Sequence, residues 1–184
     1  MTRSSKSIEP WQTAEIAGPK RAQVVVKPEV VSALLRRAEK PILIVGHEAA
    51  EIQLKKGKLV DYIIRVAENA RIPVVATAHM QGEFLGRGFL VDSWMPVVDI
   101  ANRLTDRDWR GLDGKGPYDL ALFVGLPYYV EWLILSGIKH FSDDLKTVSL
   151  GKHYQPHASW SFPNLSDDDW EENLEAIVRE LGER

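Results

Sequence analysis

Three short stretches of this chain are apolar on nearly every residue, "PILIVG" at 41–46, "IPVVATA" at 72–78 and "YDLALFVGL" at 118–126, and "LKTVSLG" at 145–151 reads as a fourth strand. A strand wetted on one face alternates apolar with polar residues. A strand that is apolar throughout must be covered on both faces, as in a parallel sheet carrying helices on each side. Between the runs the apolar period changes to that of a helix. "PEVVSALLRRAE" repeats Val31, Leu34, Leu35 and Ala38, with Pro28 at the helix start, and "IQLKKGKLVDYIIRVAENA" places Leu59, Ile63, Val66 and Ala67 on one face. Further helices are expected after Pro96 to about Leu104, between Pro127 and Gly137, and from a cap at Ser166 or Asp167 onward. "HMQGEFLGRG" reads as a loop, and "HYQPHASWSFP" as an irregular stretch with room for one short strand.

The alternation predicts an α/β fold, a doubly wound and mainly parallel sheet with helices on both faces and right-handed crossovers. Residues 28–184 form the single α/β domain in this reading. Residues 1–27 form an N-terminal arm, broken by Pro10, Gly18 and Pro19, with Trp11 and Ile16 to lay on a surface.

Composition narrows the function. The net charge is -3 with scattered cations, so nucleic acid is not an expected partner. There is no cysteine, which removes disulfides, thiolate zinc sites, a thiol nucleophile and cysteine-held iron–sulfur clusters from this chain's own repertoire. Glu9, Pro10, Glu15 and Pro19 stand where a secretory signal would need an apolar core, and Gly125, Pro127 and Glu131 interrupt the most apolar stretch. The expected setting is cytoplasmic, away from any membrane.

Ligands of such sheets bind outside the carboxyl ends of the strands. The candidate residues on that edge are Gly46, His47, Glu48, Thr77, His79, Gly125 and Tyr128, with the 151–153 segment beside them. A dinucleotide fingerprint opening at Gly46 would place glycines at 48 and 51, whereas this chain has Glu48 and Glu51. Both acids add bulk and like charge where pyrophosphate would lie, and both suit the first turn of a helix. A tightly held dinucleotide is therefore not expected, although FAD or NAD(P) remains a ligand the fold type admits. His47 and His79 each follow a strand, and an acid such as Glu48 beside one of them would make a general base. His153 and His157 have ligand-like spacing, but Pro156 breaks the helix between them. Histidines on the surface or at helix caps are expected, and no metal site. Six tryptophans are many for 184 residues. Trp11, Trp94 and Trp160, in the arm and loops, are the candidate partner-binding anchors.

The order "LLRRAEKPILIVG … LVDYIIRVAENARIPVVATAHMQG … YDLALFVG" resembles the central domain of thiamine-diphosphate enzymes and the related DHS-like NAD/FAD-binding domains. With "PWQTAEIAGPKRAQVVVKPE" ahead of it, the chain resembles, over residues 8–182, the epsilon-subunit family of the archaeal acetyl-CoA decarbonylase/synthase complex. The resemblance implies a sheet of about six strands. It also implies a place beside the large nickel–iron–sulfur alpha subunit of carbon monoxide dehydrogenase, in anaerobic one-carbon metabolism and methanogenesis. The metal chemistry of that family belongs to alpha. Epsilon stabilises the assembly or helps electrons reach a flavin, and self-association or hetero-oligomers are expected. The alternative is an independent FAD- or NAD(P)-binding protein using the strand-end edge.

Overall fold

The structure, a computed structural model, describes residue 18 and residues 20–183. The elements in chain order are β1 (Gln23–Val24), α1 (Glu29–Arg37), β2 (Pro41–Val45), α2 (Leu59–Ala70), β3 (Val74–Ala76), α3 (Gln81–Leu85), β4 (Ser93–Trp94), α4 (Val97–Thr105), β5 (Leu120–Val124), α5 (Tyr128–Phe141), β6 (Lys146–Ser149), β7 (Trp160–Ser161) and α6 (Asp167–Gly182). The sheet has seven strands in the order β1-β7-β6-β5-β2-β3-β4. Every pairing in it is parallel. None of the described helices is long and apolar enough to cross a membrane.

The two-faced burial inferred from the apolar runs is visible residue by residue. Leu43, Val45, Val74, Ala76, Leu120, Leu122 and Val124 point to one face, where they pack with α1, α2 and α6. Ile42, Ile44, Val75, Ala121 and Phe123 point to the other, where α4 and α5 lie. Successive side chains of a strand alternate sides, so each run feeds two cores at once. The longest ladder joins β2 to β5 over five residues, Pro41 opposite Leu120 through Val45 opposite Val124. Asp119 fixes its start by accepting the Glu39 and Lys40 N–H groups, both at 2.8 Å.

Several boundaries differ from the sequence reading. Residues 23 and 24, assigned to an arm, form an outer strand paired with β7. The helix placed over 52–70 begins only at Leu59. Before it, Gln53 bridges Lys58 in antiparallel fashion across the lysine-rich turn. Ile52 and Leu54, either side of the bridged Gln53, pack on the core from that bridge. The stretch 79–88, read as a loop, holds a 3-10 turn at Ala78–Met80 and α3, with Phe84 buried. The helix bracketed by Pro127 and Gly137 runs on to Phe141, because Gly137 costs helix stability without forcing a stop. At α6 the expected cap is found, Ser166 Oγ accepting the Asp169 N–H at 3.1 Å.

One carboxylate ties α6 to the turn ahead of α2. Glu171 is buried, and its oxygens accept Tyr62 Oη and Lys56 N at 2.7 Å and Lys55 N at 3.2 Å. Burial alone would raise its pKa, but these donors win and hold the carboxyl below its ordinary range. Replacing Glu171 by alanine strands a buried hydroxyl and two backbone donors. The expected loss is roughly 3 kcal/mol of unfolding free energy in urea titration, with Glu171→Gln losing less because its carbonyl still accepts.

Candidate functional site

The chain reverses its winding direction between β2 and β5. From β2 it moves outward through β3 and β4, then returns to β5 on the opposite flank. Strand ends at such a switch point normally diverge and leave a crevice. Here the crevice is closed by backbone. Gly46 N donates to Val124 O at 2.9 Å, Glu48 N donates to Gly125 O at 3.0 Å, and Ala49 N donates to Gly46 O at 3.2 Å. Both glycines are required by this approach. A Cβ on Gly46 would stand 2.2 Å from Gly125 O, and Gly125 has φ +69° with Ala49 N 2.8 Å from where its Cβ would be. The glycine turn thus brings two loops together, with no pocket for an anion between them.

The residues after Gly46 form a 3-10 turn, His47–Ala50, in place of the expected first helical turn, so Glu48 and Glu51 are not acids at the head of α2. The sequence-predicted residues fall into two groups around the closed seam. On the β2–β3 side, His47 and His79 meet with ring centroids 6.2 Å apart, as their common strand edge required. Thr77 is beside them, its N–H donating to Val45 O at 3.1 Å and its buried Oγ1 without a partner. On the β5–β6 side, Glu48, Gly125 and Tyr128 line a cavity of about 270 Å³ together with Ile52, Leu126, Glu131, Gly151, Lys152, His153, Gln155 and Trp170. Glu48 is therefore turned to this cavity, where its charge is felt by Glu131.

The cavity's most unusual member is Glu131, which sequence reading treated only as an interruption of an apolar stretch. It is 3% exposed on the inner face of α5, and its Oε1 has no hydrogen-bond partner. Burial pushes its pKa up to about 8, with the charge of Glu48 adding and the neighbouring Ser149 hydroxyl opposing. Gln155 is 1% exposed, its Nε2 donating to Tyr128 O at 2.9 Å and its Oε1 unpartnered. Tyr128 also donates its hydroxyl to Tyr154 O at 3.1 Å and stands edge-on to His153. Lys152 is held at the rim by Asp167 at 2.7 Å. The available signal for Glu131 was its place between Val130 and Trp132, in a helix apolar on almost every side.

The remaining predictions are scattered. His157 is not a surface histidine but is buried. It lies edge-on to Trp132 at 4.6 Å, with both ring nitrogens unpartnered and its pKa lowered to about 4 by burial, then by Lys139 and His140. Among the described residues no group of three His, Cys, Asp or Glu side chains is placed to hold a metal ion. Trp94 and Trp160 are half-buried and pack against the larger core, Trp94 lying edge-on to Phe84 at 6.1 Å. Trp11 lies outside the described residues.

Two measurements test this geometry. Gly46→Ala and Gly125→Ala each force the seam apart, with an expected loss of at least about 3 kcal/mol by urea denaturation. For Glu131, the unfolded chain ionises near the ordinary value of 4.5, while the fold keeps the proton until about 8. Stability therefore falls as pH rises through that window and levels off above it. Glu131→Gln is expected to remove this slope, its stability rising relative to the parent as pH is taken from 5 to 8.5 in melting experiments.

Comparison with known proteins adds an independent line. Residues 4–180 match the family described as CO dehydrogenase beta subunit/acetyl-CoA synthase epsilon subunit. The chain is 35% identical to an acetyl-CoA decarbonylase/synthase complex subunit epsilon of Methanothermobacter thermautotrophicus, covering 94% of this chain and 96% of that one. It is 32% identical to the subunit epsilon of Methanothrix soehngenii over 95% and 92% of the two chains. It is 39% identical to the subunit epsilon 1 of Archaeoglobus fulgidus over 80% and 78%.

Proposed function

The chain belongs to the CO dehydrogenase beta subunit/acetyl-CoA synthase epsilon subunit family, and from that membership we propose that it is an accessory, non-catalytic subunit of an acetyl-CoA decarbonylase/synthase complex. Its partner in this reading is the large nickel–iron–sulfur subunit that carries the carbon monoxide dehydrogenase chemistry. The observation that carries the docking role is the outer face of α5. A helix that is apolar all round belongs inside a structure, yet α5 leaves Tyr129 69% exposed, Leu133 60% and Phe141 73%. Leu133 and Phe141 stand at i+4 and i+12 from Tyr129 along a single stripe, and Gly137 at i+8 completes the series with open space above it. Bulky anchors flanking a glycine let a partner's backbone approach closely between them. This stripe is a better docking face than Trp94 and Trp160, which already pack against the core.

The closed Gly46–Gly125 seam supports the non-catalytic part of the proposal and speaks against an independent dinucleotide-binding protein. Two backbone segments occupy the place where a pyrophosphate would be cradled. The adjacent cavity, at about 270 Å³, has room for a single ring system. A role in passing electrons to a flavin would then depend on a flavin held mainly by the partner.

Co-purification from an anaerobic extract tests the proposal. The tagged chain is expected to recover a cysteine-rich iron–sulfur subunit, and to oxidise no carbon monoxide alone. Leu133→Asp with Phe141→Asp is expected to weaken the association at least tenfold in native mass spectrometry, while circular dichroism remains unchanged. Turnover by the isolated chain, or undiminished association of the double variant, would sink the respective halves of the idea.

A further inference from the structure

The cavity beside β5 and β6 has an unbalanced hydrogen-bond inventory. Gln155 has no freedom to flip, because its Nε2 must face the Tyr128 carbonyl, so Oε1 is an acceptor with nothing to accept. Glu131 Oε1 is likewise unpartnered, while Oε2 lies under Gly151, 3.9 Å from where a Cβ of that residue would be. Each such buried and unmade bond costs about 1–3 kcal/mol. Tyr128, Leu126, Ile52 and Trp170 complete the lining with apolar or ring surface.

We propose that this cavity binds a small planar ring through a lactam or cyclic imide edge, the ring carbonyl accepting from Glu131 and the adjacent ring N–H donating to Gln155 Oε1. The site is independent of whether the chain docks on a partner. The Glu131 carboxyl, kept protonated at neutral pH by its burial, supplies the donor. Donor and acceptor on the protein then meet acceptor and donor on the ring, and no charge enters the cavity. An amine ligand would require the opposite state, with Glu131 ionised. The two chemistries therefore differ in the sign of their pH dependence. The other ionisable groups facing the cavity are Glu48 after β2, Tyr128 on α5, and Lys152 and His153 after β6. Lys152 is already paired with Asp167, and α6 contributes only the uncharged Trp170.

Saturation-transfer NMR on the full chain decides the matter, with 2-pyridone as the probe at pH 6.5 and pH 9.5. The comparison probes are N-methyl-2-pyridone, which lacks the N–H, and methylammonium. Binding of 2-pyridone is expected at pH 6.5 and at least fivefold weaker at pH 9.5, where the Glu131 donor is lost. The N-methyl compound is expected to give no transfer. Glu131→Gln keeps a donor at every pH, so it should bind 2-pyridone equally at both values, whereas Gln155→Leu should lose binding. Equal binding of the N-methyl compound, methylammonium binding that grows at pH 9.5, or no transfer from 2-pyridone to the folded parent (a cavity holding only water) would each overturn the assignment. Glu131→Gln retains the shape and hydrogen bonding of the parent, so the pH comparison stands even if Gln155→Leu does not fold.

Discussion

The hydrogen bond from Glu48 N to Gly125 O, with that from Gly46 N to Val124 O beside it, is the contact on which the upper edge of the sheet depends. β2 and β5 are the central strands, and they run in register over their full lengths before either chain turns away. Sealing the ends together there fixes the first turn after each strand. It directs Glu48 toward β6 and lets Pro127 start α5 directly above the seam. The position of Glu131, one turn into α5, follows from that start. The seal also displaces the open space of the sheet edge sideways, from between β2 and β5 to between β5 and β6.

The sequence made the inner half of the molecule legible and the outer half much less so. A strand covered on both sides favours apolar residues throughout, and the runs at 41–46, 72–78 and 118–126 correspond to β2, β3 and β5, while in β6 the polar Thr147 and Ser149 are buried as well. β1, β4 and β7 have two residues each, too few to show any period, so their places depend on pairing that no local pattern encodes. The start of α2 was misplaced because the residues ahead of Leu59 are held by the Gln53–Lys58 bridge, a pairing that no apolar period encodes.

The edge of the sheet follows from topology alone, and Gly46, Glu48, Gly125 and Tyr128 do lie along it. What their grouping could not convey is direction. The absence of glycines at 48 and 51 argued against a phosphate cradle on charge and bulk alone; that the two glycines present face each other was visible only in the structure. Glu131 and Gln155 were missed because glutamate in a helix and glutamine in a loop ordinarily face water. Only the three-dimensional path of α5 and the 151–157 segment turns both inward.

The two-residue strands at the margins have a further consequence. β1 and β4 close the sheet on its two sides, each offering only a few unpaired backbone groups. An incoming peptide or a second sheet needs a longer ledge to dock by strand addition, and so does the runaway polymerisation to which open parallel sheets are prone. Among the described residues both margins are this short, so the helical layers above and below the sheet offer far more side-chain area for contact than its edges do.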